Sequence, residues 1–383
     1  MNSSIIEKRL RAVLDRRKAD GHFRSLVNID GIDFWSNDYL GLAHAVHAQS
    51  GSQNHNVGST GSRLISGNDA EVEQLETDLA QFHGFEHSLL FSSGYAANSG
   101  LLSALGKKGD LLLLDELSHA SLIDGTRLCH ATSEFFAHNN ISAMRDALEQ
   151  FNQTRSSDTQ QAIVVVESLY SMDGNIAPLE KMARICNELG ASLIVDEAHA
   201  VGVYGSQGAG LVNALGLQSS VLATVYTFGK AIGAHGAVVA GSNLLRDYLI
   251  NYSRQFIYTT APSPRTVAEL ACAYKLMRKA DDRRATLNKN IDYFKQRITK
   301  TNLLACEWVK SDSPIQGLLV CETQRAKDIE AELRKDGFAL KAIVSPTVAL
   351  GTERIRICLH SHNTQEQIEH LIECIEKHTL ATA

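Results

Sequence analysis

The sequence predicts an α/β protein built on a mostly parallel sheet, followed by a smaller C-terminal α+β domain. Three observations carry this. Short apolar runs at 88–91, 111–114, 163–166, 193–195 and 221–226 read as buried strands. Helical patterns fill most gaps between them, as at 141–151 and at 178–189, the latter opening on proline. After Pro262 and Pro264 the alternation stops. A long charged helical region, 265–300, precedes strands near 316–321 and 354–359 and helices at 326–335 and 364–378.

A chain of 383 residues exceeds the size at which one hydrophobic core keeps growing, so an N-terminal arm (1–45), a large domain (46–270) and a small domain (271–383) are expected. In the arm, Ser4 and Glu7 have capping-box spacing ahead of Ile6, Leu10, Val13 and Leu14, and Arg16, Arg17 and Lys18 suit the C-terminal end of that helix. Asp30-Gly31, between 26–27 and 32–34, reads as a hairpin turn. Residues 44–61 are polar and glycine-rich, a loop. Asn68 or Asp69 then caps a helix carrying Val72, Leu75, Leu79 and Phe82, which stops at Gly84.

Composition excludes several classes. Hydrophobic residues at 44% and charged residues at 21% are ordinary for a globular chain, and a net charge of -6 gives no reason to expect nucleic acid. No apolar run reaches the roughly 18 residues of a membrane span, and residues 1–8 lack the apolar core of a signal peptide. Seven scattered cysteines without a Cys-x-x-Cys pair point to free thiols in a reducing cytosol. The histidine pairs His44/His47 and His83/His87 have no convincing third ligand nearby, so no metal is expected.

The chemistry concentrates at strand ends. The run Leu193-Ile194-Val195 ends in Asp196, with His199 three residues on, and the run ending at Tyr226 is followed by Thr227-Phe228-Gly229-Lys230. In an open α/β sheet, ligands gather outside the carboxyl ends of the strands. An acid, an imidazole and an amine delivered to one crevice suit pyridoxal phosphate. Lys230 would hold it as a Schiff base, Asp196 would keep the pyridine nitrogen protonated and His199 would reach the ring hydroxyl. Ser92-Ser93-Gly94-Tyr95 leaves a strand and opens a helix, whose N-terminal amides can bind phosphate, and Thr227 can add a hydroxyl. His119, just past 111–114, can stack on a flat ring, and Ser171 joins the same rim after 163–166. The glycines 205, 208 and 210 do not make a dinucleotide fingerprint, since no strand directly precedes them.

The segments Ser36-Asn37-Asp38-Tyr39-Leu40-Gly41-Leu42, Gly94-Tyr95-Ala96-Ala97-Asn98, Ser118-His119-Ala120-Ser121, Ser171-Met172-Asp173-Gly174, Asp196-Glu197-Ala198-His199 and Thr227-Phe228-Gly229-Lys230 resemble the α-oxoamine synthases, in order and spacing, over nearly the whole chain. The resemblance implies a fold-type I pyridoxal-phosphate transferase of the aspartate aminotransferase kind, working as a cytoplasmic homodimer with the active site at the subunit interface. It implies that an amino acid condenses with an acyl thioester and loses carbon dioxide. The nearest pattern uses L-alanine and a pimeloyl group on coenzyme A or a carrier protein, in biotin biosynthesis. Glycine C-acetyltransferase, sphingoid-base synthase and amino-ketone signal synthase are the alternatives within the family. A catalytically silent partner subunit is the alternative outside it, although such a chain should lack Lys230 or Asp196.

By the same resemblance, Lys230, Asp196, His119 and His199 are catalytic. Gly94, Tyr95, Ser171 and Thr227 contact the cofactor with them. Arg24, Asn37, Ser62, His119, Thr347 and Arg356 contact substrate, Arg356 through a guanidinium fork that suits a carboxylate. Tyr258-Thr259-Thr260-Ala261-Pro262 matches a segment that reaches the neighbouring subunit's phosphate. Trp35 stands where a smaller residue is usual, and 59–67 is closer to members that use other acyl donors, which leaves the acyl chain open.

Overall fold

A seven-stranded sheet forms the frame on which the strand-end residues sit. In spatial order its strands are His87–Phe91, Ala237–Gly241, Ala223–Thr227, Ser192–Asp196, Ala162–Glu167, Leu111–Asp115 and Thr132–Phe136. All run parallel except Ala237–Gly241, which pairs antiparallel with both neighbours. The computed structural model describes residues 4–28, 30–51 and 54–381. Residues 1–3 of the N-terminal reading, and 52 and 53 of the 44–61 loop, lie outside the described residues.

The apolar runs are continuous because each strand is covered on both faces. Leu112, Leu114, Ile163, Val165, Ile194 and Val225 enter one buried cluster. Their alternating neighbours Leu111, Leu113, Val164, Val166, Leu193 and Val195 enter the other. Two strands of this sheet escaped the sequence reading. Thr132–Phe136 lies at the sheet edge with only Phe136 buried, so it has no apolar run. Ala237–Gly241 is fully buried but made of small residues.

The chain divides into two compact units, residues 37–171 with 175–285, and residues 1–36 with 172–174 and 286–383. These limits differ from the expected 45/46 and 270/271. The expected 265–300 helix is two helices, Pro264–Arg278 and Asp281–Ile298. The first packs on the helix Ala70–His83 and so belongs to the larger unit. In that unit, Asp69 caps Ala70–His83 by accepting from the Val72 amide, and Gly84 ends it in a left-handed conformation. The expected 44–61 loop begins with a short helix, Ala43–Gln49.

In the smaller unit, four antiparallel strands run in the order Lys341–Ile343, Arg354–Cys358, Ile315–Leu319 and Glu307–Trp308. The helices Thr323–Lys335 and Gln365–Ala381 pack together there. The Ser4–Glu7 capping box forms at the head of Ile5–Ala19, a helix with no buried residue. The hairpin at Asp30-Gly31 does not form. Ile32–Asp33 pairs parallel with Phe338–Ala339, and a side chain at Gly31 would meet the Gly337 carbonyl at 2.5 Å, so the turn residue serves a long-range contact.

In the larger unit, Arg63 and Glu76 form a buried bidentate pair at 2.8 and 3.0 Å, and Glu76 also accepts from the Leu90 amide at 2.7 Å. The pair ties the 58–67 segment to the strand His87–Phe91. Glu76→Ala leaves a buried guanidinium and a buried amide without their acceptor. Denaturant titration should show a loss of about 3–5 kcal/mol, and a change of less than about 1 kcal/mol, the level of an exposed pair, would refute the anchoring role.

Candidate active site

Six parallel strands of the larger unit present their carboxyl ends to one edge, and residues at or just after the ends of five of them converge. Glu167 and Asp196 are the last residues of neighbouring strands and lie directly opposite each other in register. Thr227 ends the next strand. They line a cavity of about 250 Å³ together with Gly94, Tyr95, His119, His199 and Lys230. Of the thirteen residues expected at the site, the structure therefore brings seven into one place: Gly94, Tyr95, His119, Asp196, His199, Thr227 and Lys230.

Each is held for a local reason. The helix Gly94–Leu105 starts at the cavity, capped by Ser93, whose hydroxyl accepts from the Ala96 amide at 3.1 Å. A side chain at Gly94 would lie 2.4 Å from Thr227 Cγ2, so only glycine lets this helix end approach the strand end. Tyr95 donates its hydroxyl to Asp124. Asp196 accepts from Ala198 N at 2.8 Å and from Asn98 Nδ2 at 2.7 Å. His199 Nδ1 lies 2.7 Å from the buried hydroxyl of Tyr39, which donates to Asn37 Oδ1 at 3.1 Å. Lys230 sits in a turn closed by Gly233 N on its carbonyl at 2.8 Å.

His119 caps the next helix, Ala120–Arg127, and its backbone amide donates to Glu167 Oε1 at 2.7 Å. Its imidazole is held below the ordinary histidine range by loss of solvent, with Lys230 acting in the same sense against the pull of Asp196, although the residue as a whole is exposed. Glu167 is pushed up to about 8, first by burial and then by the charge of Asp196, with Lys230 opposing. Glu197, next to Asp196, is pushed up to about 7 by burial, though it accepts from the Leu211 and Val212 amides.

The other expected residues lie elsewhere. Ser171, Asn37 and Ser62 belong to the larger unit, half-buried, and do not line the cavity. Asn37 is joined to His199 through Tyr39. The Ser62 carbonyl closes a tight turn by accepting from Ile65 N and Gly67 N. In the smaller unit, Arg24 Nη2 donates to Thr347 Oγ1 at 3.2 Å, which brings two expected substrate contacts together across 323 residues of sequence. Arg356 is buried on the strand Arg354–Cys358.

Sequence reasoning assigned no role to Asn98, Ser121, Glu167 or His235, all of which line the cavity, nor to Tyr39. Asn98 follows Gly94 by one helical turn, and that spacing was a usable signal. The sequence reading also passed over His360 and His362, which approach Asp33 in the smaller unit. The Asp33 carboxylate already accepts from the Trp35 and Ser36 amides and the Ser36 hydroxyl, which serves to fold residues 33–36.

A mostly parallel sheet with a lysine, buried carboxylates, two imidazoles and a helix N-terminus at its carboxyl edge defines a fold-type I pyridoxal-phosphate transferase. A match to the family of class I and II aminotransferases extends over residues 29–375. Among named relatives, 8-amino-7-oxononanoate synthase of Alkalilimnicola ehrlichii is 36% identical over 395 residues, covering 98% of each chain. That of Methylococcus capsulatus is 38% identical over 368 residues, covering 94% of this chain and 93% of its own. Solved structures agree. Serine palmitoyltransferase of Sphingomonas wittichii superposes with a TM-score of 0.88 at 27% identity over 99% of both chains. An 8-amino-7-oxononanoate synthase from Francisella tularensis gives 0.75 at 30% identity, over 92% of this chain and 98% of that one. The chain belongs to the class I and II aminotransferase family and, within it, to the α-oxoamine synthases.

The Glu167 proton gives a test of the electrostatics. A folded chain that keeps it to about pH 8, where the ordinary value is 4.5, gains stability in acid and loses it as pH rises through that range; Glu197 acts in the same sense. Glu167→Gln retains an acceptor for the His119 amide but cannot ionise. In cofactor-free protein, urea midpoints between about pH 5 and 8 should fall less steeply for the variant than for the parent. Equal slopes would mean that Glu167 is already ionised.

Proposed function

We propose that the chain condenses L-alanine with a pimeloyl thioester, releasing carbon dioxide and the free thiol and giving 8-amino-7-oxononanoate for biotin biosynthesis. The observation that carries this reading is the cavity that joins Lys230, Asp196, His119 and His199, in a chain alignable end to end with synthases of that name.

The cavity fits pyridoxal phosphate. The head of Gly94–Leu105 offers Gly94 and Tyr95 amides, with Thr227 beside them, for a phosphate. Asp196 is a buried carboxylate fit to face a protonated ring nitrogen, His199 to meet the ring oxygen, His119 to cover one face, and Lys230 to hold the group covalently. When bound, the cofactor supplies an electron sink for the carbanion formed at the amino acid α-carbon. The protein's own contributions are positional and protonic. Lys230 moves the α-proton, the Asn98 and Ala198 donors hold the Asp196 carboxylate in place, and burial together with the neighbouring Asp196 pushes Glu167 up to about 8. Arg24 is assigned to the distal end of the acyl chain, Arg356 to the amino-acid carboxylate, Asn37, Ser62 and Thr347 to substrate and Ser171 to cofactor. The seven cysteines are free thiols and no described helix is long and apolar enough to cross a membrane, which supports a place in the cytosol.

A second copy of the chain is part of the reading. The 58–67 segment is knit to 258–262, since the Ser59 hydroxyl donates to the Ala261 carbonyl and Ala261 N donates to the Gly61 carbonyl at 2.9 Å. Around it Ile65 (85%), Val57 (78%) and Tyr258 (72%) are exposed, an apolar patch that a homodimer would cover.

One observation favours a second reading: the backbone superposes better on serine palmitoyltransferase, at 0.88 against 0.75. Identity over the full length weighs more, because side chains rather than backbone shape a substrate pocket. A panel of alanine, glycine and serine against pimeloyl, acetyl and palmitoyl thioesters, read by thiol release, separates the two. Alanine with pimeloyl should give the highest kcat/KM, and a preference for serine with palmitoyl would replace this reading. Borohydride reduction of the loaded enzyme followed by peptide mapping should label Lys230, and Lys230→Ala should fold yet form no product; a label on another lysine overturns the assignment. Ile65→Asp, which puts a charge in the patch, should give a monomer by sedimentation and lose activity. A dimer of unchanged stability would move the interface elsewhere.

A further inference from the structure

We propose that Asn98 is a positioning residue that fixes the Asp196 carboxylate and, through Ser121, sets which nitrogen of His119 carries a proton. Asn98 is 2% exposed and sits on the first turns of Gly94–Leu105, where hydrocarbon would pack more cheaply. Its Nδ2 carries two hydrogens, and both are used. One goes to Asp196 Oδ2 at 2.7 Å and the other to Ser121 Oγ at 3.0 Å. The amide cannot be turned over, because that would set Oδ1 against a carboxylate oxygen.

Ser121 Oγ, accepting from Asn98, has its single hydrogen left for His119 Nδ1 at 2.8 Å. The Ser121 amide also points at Nδ1, at 3.2 Å. With two donors on Nδ1, the neutral imidazole carries its hydrogen on Nε2 and offers a donor, not a base, to whatever lies over the cavity. One amide thus orders both the acid and the imidazole. Asn98 Oδ1 meanwhile has no hydrogen-bond partner. A buried acceptor left unpaired is costly, and the two Nδ2 donations are what offset it. Without them Asp196 keeps only the Ala198 amide, on its other oxygen, and is free to rotate away from a ring nitrogen.

This rests on the cofactor reading above, and the experiment separates the two. Cofactor-free parent and Asn98→Ala are titrated with pyridoxal phosphate, and the visible circular dichroism of the bound cofactor is recorded beside the thermal melt. The parent should bind and show a strong visible band. Asn98→Ala should bind about ten- to a hundredfold more weakly, the scale of one hydrogen bond to a buried charge, with the band weakened although the melt is retained. Affinity within twofold of the parent and an unchanged band would overturn the proposal. A parent that binds no pyridoxal phosphate sinks the cofactor reading instead. Should Asn98→Ala fail to fold, the isosteric Asn98→Asp is read by the same titration: it sets an acceptor against Asp196, so affinity equal to the parent overturns the proposal and a loss exceeding tenfold supports it.

Discussion

Four buried acids stand at the carboxyl edge of neighbouring strands, Asp115, Glu167, Asp196 and Glu197, and the rest of the site follows from how their charges are accommodated. Two like charges 4 Å apart cost about 4 kcal/mol even at an effective dielectric near 20. Burial opposes the charge on Asp115, but His138 and the Asn139 and Leu117 amides overcome it and hold the group below the usual carboxylate range. Glu197 receives two amides at the head of Leu211–Ala214 and is still pushed up. Glu167 receives one amide and is pushed up to about 8 by burial and by the charge of Asp196. Asp196 lines the cavity beside Glu167 with two donors behind it. Parallel strands impose this crowding, because they deliver every chain end to one edge.

The helix Gly94–Leu105 then supplies two things that the strands cannot. Its N-terminus is a concentration of unpaired N–H groups with a positive dipole end. One turn further on, the same face carries Asn98 into the acid row. Gly94 is the condition for both, since any side chain there would collide with Thr227 and push the helix off the strand end. A close approach of this kind couples the end of the cavity at the helix N-terminus to its acidic end.

Much of this was legible in the sequence, for a physical reason. Strands buried on two faces are continuous apolar runs, and the first polar residue after such a run is at the carboxyl edge, so Asp196, Thr227 and Lys230 could be placed without coordinates. What stayed hidden depended on distance in sequence or on missing contrast. Thr132–Phe136 is an exposed edge and Ala237–Gly241 is built of small residues, so neither has the expected pattern. Asp30-Gly31 has the composition of a hairpin turn, yet its glycine answers to Gly337. Tyr39 reaches His199 across 160 residues and Arg24 reaches Thr347 across 323, and neither pairing leaves a local trace.

The residues differ, finally, in how firmly they are held, and that difference follows the line between the residues proposed for chemistry and those proposed for selectivity. Asp196 and Glu167 are buried at strand ends, and backbone amides take part in holding both. Arg24 and Thr347 are exposed and share one side-chain hydrogen bond at 3.2 Å, while the Ser62 carbonyl, rather than its side chain, closes its turn. A substitution among the acids disturbs a network in which each charge limits its neighbours, and so it changes reactivity and stability together. A substitution at Arg24 or Thr347 removes at most an exposed contact, worth about 0.5 kcal/mol or less to the fold, and one at half-buried Ser62 leaves the carbonyl that closes its turn in place. On the proposed assignments, a scaffold built this way can change the acyl chain or amino acid it accepts while the acid row stays as it is.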